Sequence, residues 1–295
     1  MHYWIHCIML PFQQGRSLKE FSTFGIGGPI RLFAEVSSIE EMEEIFCRYI
    51  QVKKIPFLIV GKGSNCLFDD RGFDGLVLLN KLNYCDWQEN QVTVGSGYSF
   101  SLLGVQSARK GFSGLEFASG IPATVGGAVF MNAGANGTET CQSLQSVLFL
   151  TQEGKKICYQ KKDLSFGYRS SSFQQMQGVI LSATFLLERS YEARGAQLKI
   201  LDYRMRTQPY KDKSVGCVFR NPCPNTPAGL LIERCGLKGL QVGGAKVSEV
   251  HANFIVNVNQ ATAKDVLELI EVIKIRVFEQ TGVHLEPEIR VIGHA

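Results

Sequence analysis

The spacing of apolar residues along this 295-residue chain changes several times, and each change marks an element. Over residues 38–50 the apolar positions Ile39, Met42, Ile45, Phe46 and Tyr49 fall three and four apart, which predicts an amphipathic helix. Ser38 and Glu41 supply a capping box at its start. An apolar run at 55–60 predicts a buried strand that ends in Gly61-Lys62-Gly63-Ser64-Asn65. Further strands are expected at 76–79 and 91–94, and a helix at 100–110 leads into a glycine-rich stretch. Residues 146–150 and 156–160 flank Glu153-Gly154 as a hairpin. A strand at 179–187 and a helix at 196–206 follow. The pattern changes after Thr207-Gln208-Pro209: a short strand at 217–219, a proline-rich turn, a helix at 228–235 and a strand at 253–258. Helical spacing is clearest in the last long run, 264–280, where Val266, Leu269, Ile270, Ile273 and Val277 share one face, with Thr262 as cap and Gly282 as stop. A strand at 289–292 closes the chain.

Helices and strands mix without strict alternation, so the fold class is α+β. The main boundary is expected near 204. It separates residues 1–203, themselves divided at about 72 into units 17–72 and 73–203, from a second domain, 204–295, whose last strand returns to the first unit. The composition, 45% hydrophobic and 20% charged, is that of a packed chain. A net charge of +4 with no basic block argues against nucleic acid as a partner. No apolar run reaches the roughly 18 residues of a membrane span. The opening MHYWIHCIMLPF lacks the basic flank and cleavage site of a signal peptide, and is expected to pack on the surface or fray. Nine cysteines, odd in number and without a CxxC, exclude a disulfide framework and a zinc or iron–sulfur site. Most are expected to be reduced, buried, small apolar side chains in a cytoplasmic protein.

Two segments carry the candidate chemistry. Residues 114–137, GLEFASGIPATVGGAVFMNAGANG, hold six glycines and one charged residue, Glu116. Glycines at that density are expected in a buried loop, not in a helix or strand, where the backbone approaches a flat or anionic ligand. With no basic residue present, backbone dipoles would hold the ligand, and the expected contacts are Ser119, Gly120, Ile121, Pro122, Thr124, Gly126, Gly127, Asn132, Ala133 and Gly134. The bland alternative is a tightly turned core segment. The strand-to-loop segment Gly61, Lys62, Gly63, Ser64 and Asn65 is a second phosphate cradle, in which consecutive amides are joined by hydroxyl and amide side chains. By itself it reads equally as a tight turn; with the longer segment some 50 residues on, one large cofactor would span both. There is no GxGxxG and no GxxxxGK[ST], so neither a Rossmann site nor a P-loop is supported, and the scattered histidines form no metal triad.

Phe24-Gly25-Ile26-Gly27-Gly28, GKGSN, GLEFASGIPATVGGAVFMNAGA, Tyr168-Arg169-Ser170-Ser171, VGCVFRNP, GLKG, GGAKVSEVHANFIVN and LEPEIRVIG occur in this order. Together they resemble the UDP-N-acetylenolpyruvoylglucosamine reductase family from about Ser17 to the C-terminus, and the short connection after Arg169 resembles its compact type II branch. The resemblance implies a two-part FAD domain of the vanillyl-alcohol-oxidase type, followed by an α+β substrate domain that closes over a UDP-sugar. It implies noncovalent FAD, reduced by NADPH, and reduction of an enolpyruvyl ether in peptidoglycan precursor synthesis. The absence of histidine between His6 and His251 agrees with noncovalent flavin. The state expected is a monomer or weak homo-oligomer. Two other readings are weighed: an oxidase on the same flavin scaffold, and a noncatalytic flavin or nucleotide-sugar binder.

Reduction of the alkene needs a carboxylate binder and a proton donor. Arg169 matches the family's active-site arginine, its fork of donors suited to a planar carboxylate; generically it would be a structural arginine after a strand. Glu288 matches the catalytic glutamate and is expected to have a raised pKa and to donate as a neutral acid. Its bland alternative is an edge glutamate paired with Arg290. Cys217 stands where the family most often has serine, so the proton-donor role carries to a thiol; a buried cysteine with water as donor is the other option. Tyr168, Asn221 and Lys238 are expected to touch the UDP-sugar, Lys238 through diphosphate charge.

Overall fold

In the computed structural model, which describes residues 12–223 and 225–294, the chain builds two lobes and a C-terminal domain. The opening segment and Cys7, up to residue 11, lie outside the described residues, as does Pro224 of the proline-rich turn.

In the first lobe, β1 (Ile30–Val36), β2 (Phe57–Val60) and a strand at Phe73–Asn80 form a parallel sheet with the last of these in the middle. A short strand, β3 (Cys66–Phe68), intervenes in sequence, so the central strand is β4. No strand was expected over β1. Its burial does not alternate: Arg31 and Glu35 are exposed, while the neighbours Phe33 and Ala34 are both buried, in separate apolar clusters on the two faces of the sheet. Helix α1 (Ile39–Ile45) covers this sheet, with Ser38 and Glu41 in the expected capping box. It winds on through a wider turn, Phe46–Ile50, to Gln51–Lys53, where Lys54 takes a left-handed conformation.

The second lobe is an antiparallel five-stranded sheet. β5 (Cys85–Gln88) and β6 (Gln91–Gly95) lie at one side, and β7 (Leu144–Thr151) with β8 (Lys156–Gln160) at the other. Between them runs a strand at Gly178–Leu186. Helix α2 (Phe100–Arg109) precedes the glycine-rich segment, which is not the loop expected. It contains a helix, α3 (Val125–Phe130), whose cap Thr124 accepts from the Gly127 amide at 3.3 Å. Two glycines cost a helix about 1 kcal/mol each relative to alanine. Tertiary contact explains them: a Cβ on Gly126 would sit 2.9 Å from the Ser96 Cβ, and its amide donates to Ser96 O at 2.8 Å.

A tight hairpin, β9 (Phe166–Gly167) and β10 (Ser170–Ser171), with the Gly178–Leu186 strand as β11, completes this lobe. Helix α4 (Ala193–Thr207) then lies against α2 and the 3₁₀ turn Glu116–Ala118. Residue 204, where the boundary was expected, is inside this helix.

The C-terminal sheet runs in the order β12 (Ser214–Cys217), Phe254–Asn257, Ala245–Val247, Gln241–Val242. In chain order the last three are β13 (Gln241–Val242), β14 (Ala245–Val247) and β15 (Phe254–Asn257). Helix α5 (Ala228–Arg234) and the long α6 (Ala263–Thr281) pack on it. All five apolar residues named for α6 are buried, Thr262 caps it, and Gly282 ends it at φ 71°. The last strand, β16 (Arg290–Ile292), leaves this domain and pairs in parallel with β3 of the first lobe.

The cysteines depart from expectation. Cys47, Cys158 and Cys223 are exposed, while Cys66, Cys85, Cys141, Cys217 and Cys235 are half-buried; these eight are free thiols. No helix among the described residues is long and apolar enough to cross a membrane.

Candidate active site

The return of β16 to β3 carries Glu288 between the domains. Before it pairs with β3, the chain runs antiparallel to residues 218–220. The Glu288 amide donates to Val218 O at 2.7 Å and the Arg220 amide donates to Glu286 O at 2.9 Å. Immediately afterwards the Arg290 amide donates to Asn65 O at 2.9 Å, and Asn65 Nδ2 donates to Glu288 O at 3.4 Å. Glu288 is therefore fixed by backbone bonds on one side to the segment bearing Cys217 and on the other to the GKGSN loop. The alternative partner, Arg290, is turned away over the Phe130 ring at 4.6 Å.

Arg169 reaches the same point from the second lobe. It is the second residue of the β9–β10 turn and holds φ 54°, a left-handed conformation rare outside glycine. Its Nε donates to Glu288 Oε1 at 2.7 Å, its Nη2 donates to Gly134 O at 2.9 Å, and the guanidinium lies 4.9 Å over the Tyr168 ring. Asn132, buried and itself at φ 44°, secures the turn. Its Nδ2 donates to Gly167 O and Glu139 Oε2, and its Oδ1 accepts from the Cys141 amide. Both ends of that amide are thus engaged within the protein.

Burial decides the electrostatics. It raises the Glu288 carboxyl above its ordinary range, even though the charges of Arg169 and Arg220 pull it down. Arg169, bonded to that carboxylate, stays charged. Burial, reinforced by the negative charge of Glu288, pushes the Cys217 thiol up to about 12. Arg169, Cys217 and Glu288 form one electrostatic cluster, and at neutral pH the thiol keeps its proton.

The two glycine segments also meet. A Cβ on Gly61 would lie 2.5 Å from Thr124 Oγ1, and Lys62 Nζ donates to Ser99 Oγ at 3.1 Å from an exposed rim position. Their division of labour differs from expectation. The amides of Val125 and Gly126 donate to Tyr98 O and Ser96 O, and Gly127 donates to its cap, so α3 keeps few free donors. Glu116 is used locally, accepting from the Gly114 amide at 2.7 Å. Among the described residues the amides of Lys62, Gly63 and Ser64 have no intramolecular acceptor. Gly63, at φ 59°, packs so closely that a Cβ would meet Phe21 O at 2.1 Å. Ser119 Oγ is buried without a partner among the described residues, beside Gly120, whose carbonyl accepts from Tyr210 Oη at 3.0 Å. Unspent amides on one segment and an orphaned hydroxyl on the other suit an anionic, hydrogen-bonding nucleotide. Ile121, Pro122, Ala133 and Gly134 line the connections around α3, partly exposed.

Of the remaining candidates, Tyr168 and Asn221 meet across the domains, the Asn221 amide donating to Tyr168 Oη at 3.4 Å. The Asn221 side chain is engaged, accepting from the Ala228 amide at the start of α5. Lys238 pairs with Glu233 at 2.6 Å and is not brought to Arg169, Cys217 or Glu288. Residues that sequence reasoning passed over include Arg204 and Tyr210, which bond each other at 3.0 Å and both reach Gly120 O. Arg220, whose buried Nε has no partner among the described residues, was also missed. Arg204 is one of several arginines in its helix, and Arg220 stands inside the VGCVFRNP string, where nothing but the fold sets it apart.

The FAD binding domain family matches residues 30–157, and the UDP-N-acetylenolpyruvoylglucosamine reductase C-terminal domain family matches residues 208–292. A UDP-N-acetylenolpyruvoylglucosamine reductase of Protochlamydia amoebophila is 55% identical over 287 residues, 96% of this chain and 94% of that protein. The chain belongs to the UDP-N-acetylenolpyruvoylglucosamine reductase family. The Chlamydia muridarum member is 48% identical over 281 residues, covering 95% of this chain and 94% of its own. The crystal structure of the Thermus caldophilus member superposes with a TM-score of 0.80 at 37% identity, covering 96% of this chain and 99% of that one. The similarity spans both lobes and the C-terminal domain, so the convergence at Glu288 lies within the region shared with the family.

Proposed function

We propose that this protein reduces the enolpyruvyl ether of UDP-N-acetylglucosamine to the lactyl ether, giving UDP-N-acetylmuramate, in the cytoplasm and for peptidoglycan precursor synthesis. The 61–65 loop and the 114–137 segment would hold FAD noncovalently, and that flavin, reduced by NADPH, would supply the hydride chemistry the alkene needs. The observation that carries the reading is the meeting of Arg169, Glu288 and Cys217 at the join of both glycine segments and the C-terminal domain.

Hydride arrival leaves negative charge on the neighbouring carbon, delocalised into the substrate carboxylate. Arg169, held by Gly134 O and by its constrained turn, presents fixed donors to that carboxylate. The incoming carboxylate competes with Glu288 for the guanidinium. Burial raises the Glu288 pKa, and once the substrate carboxylate displaces it from the guanidinium it takes a proton from solvent and becomes a hydrogen-bond donor to the developing enolate. Cys217 Sγ–H then gives its proton to the substrate carbon. Its raised pKa keeps it loaded at neutral pH, and the thiolate regains a proton from solvent. Tyr168 and the Asn221 backbone close the sugar-nucleotide path from opposite domains. Lys238 is assigned to the diphosphate on charge alone and would have to leave Glu233. By domain, residues 1–203 hold FAD and 204–295 hold substrate, with α4 carried by the FAD part through Arg204 and Gly120. The working state is a monomer or weak homo-oligomer.

The test is anaerobic. The purified protein should be yellow, bleach with NADPH and regain colour with the enolpyruvyl substrate. Cys217→Ala should bleach normally and lose recolouring, while Cys217→Ser keeps it. A colourless protein that takes up no flavin, or normal turnover by Cys217→Ala, defeats the corresponding assignment.

A further inference from the structure

Cys217 occupies a place where the β-ladder fails. β12 and β15 are in register at Ser214–Val256 and again at Cys217–Phe254, so three steps on one strand oppose two on the other. The extra residue makes a bulge, and Gly216 takes φ 81° there. A bulge bends the strand, re-aims a side chain and can terminate pairing, and here the regular ladder ends at the Cys217–Phe254 pair.

Asn253, the residue before β15, takes over that pairing. Its own carbonyl accepts from the Val218 amide at 2.8 Å. Its side chain then acts as an additional peptide group: Oδ1 accepts from the Phe219 amide at 2.9 Å, and Nδ2 donates to Phe219 O at 2.8 Å. Those two partners fix which end of the amide is which, since an N–H must face oxygen and a carbonyl must face NH₂. The residue is 3% exposed, and its amide N–H donates to His251 Nδ1 at 3.2 Å. The other edge of residues 218–220 is the edge that pairs with 286–288. One clamp therefore sets the segment that bears Cys217 and, through it, the backbone of Glu288.

We infer that Asn253 is a positioning residue for the reaction, its side-chain amide standing in for a β-ladder so that the Cys217 thiol is held toward the Arg169–Glu288 pair. Resting on the function proposed above, this assigns a role to a buried asparagine that the proposed reaction does not otherwise use. A lost clamp misplaces the proton donor but leaves the FAD lobes intact, so the two half-reactions should separate. A displacement of about 1 Å at a reacting group costs on the order of 100-fold in rate.

The test uses flavin-loaded parent, Asn253→Ala and Asn253→Asp in anaerobic stopped flow. Asn253→Asp keeps the acceptor for Phe219 N–H but sets a carboxylate oxygen against Phe219 O, so shape is preserved while the clamp is lost. Bleaching by NADPH should stay within about twofold of the parent, while recolouring by the enolpyruvyl ether slows about 100-fold in both variants with a larger solvent deuterium effect. Cys217 alkylation, mapped by mass spectrometry, should quicken as the segment loosens. Recolouring within twofold of the parent in either variant overturns the inference. So does an equal fall of both half-reactions, or loss of flavin and fold in both variants, because Asn253 would then serve folding alone. A parent protein that bleaches but is never recoloured by substrate would instead bring down the function on which the inference rests.

Discussion

Against the first lobe, the C-terminal domain takes Phe24, Ile26 and Leu67 into its own apolar cluster, among Val218, Phe219, Ile255 and the buried face of α6. Thr23 Oγ1 to Ser214 O at 2.7 Å, Asn257 Nδ2 to Phe24 O at 3.0 Å and the β3–β16 ladder finish that face. Against the second lobe it offers Glu288 to Arg169 and the Asn221 amide to Tyr168. Apolar burial is non-directional and proportional to area, so the first contact is lost only by exposing the whole cluster. An ion pair can exchange one partner for another of like charge, so the second contact can open to a ligand carboxylate at small net cost. The C-terminal domain would therefore move as one body with the first lobe, and any opening would run along the Arg169–Glu288 line.

Removing the largest apolar group tests that division most severely. Phe24→Ala, at 0% exposure, should cost about 3–5 kcal/mol in denaturant unfolding and still unfold the first lobe and C-terminal domain in one transition. Separate transitions would break the comparison.

On the polar face, Arg169→Ala should slow substrate reduction about 10²–10³-fold, as loss of a preorganised donor does, with flavin bleaching preserved. Its stability cost should depend on pH. Without the guanidinium the Glu288 carboxyl rises further and stays neutral in acid. Because its folded pKa then exceeds the unfolded one, the folded state holds the extra proton, and stability falls as pH rises from the unfolded carboxylate pKa through the folded value. Melting curves of this variant that do not change with pH across that window would show that Glu288 is not so buried.

Asp70→Ala removes a cap that the first lobe supplies to α6, where both carboxylate oxygens accept from the Ala263 amide at 2.9 and 3.0 Å. The expected loss is about 1 kcal/mol with turnover unchanged, and a fall in turnover would tie the apolar face to catalysis. The smallest effect is expected for Tyr168→Phe. Its hydroxyl accepts one long, exposed bond, so stability should move by only about 0.5 kcal/mol, while the Michaelis constant for the sugar nucleotide rises.

The long C-terminal helix and the capped α1 were legible because their signals are local: period, cap and stop stand within about 20 residues of sequence, and packing only endorses them. Strand β1 was not, since its buried neighbours Phe33 and Ala34 face different clusters and break the alternation, and nothing within 30–36 names those two covers. The glycine-rich segment misled for the complementary reason. Propensity argued against a helix at Val125–Phe130, and the close approach of Ser96 that makes glycine necessary belongs to a residue some thirty positions away.

For the site, the ordered motifs that resemble the family named Arg169, Cys217 and Glu288, each of which reads by itself as an ordinary structural residue. The fold alone decided that a bulge would precede Cys217 where its ladder ends, that the Asn253 side chain would pair with the Phe219 backbone just beyond, and that the last strand would carry Glu288 across to Asn65. Such facts depend on hydrogen-bond directions between segments far apart in the chain, and residue type in sequence carries no direction.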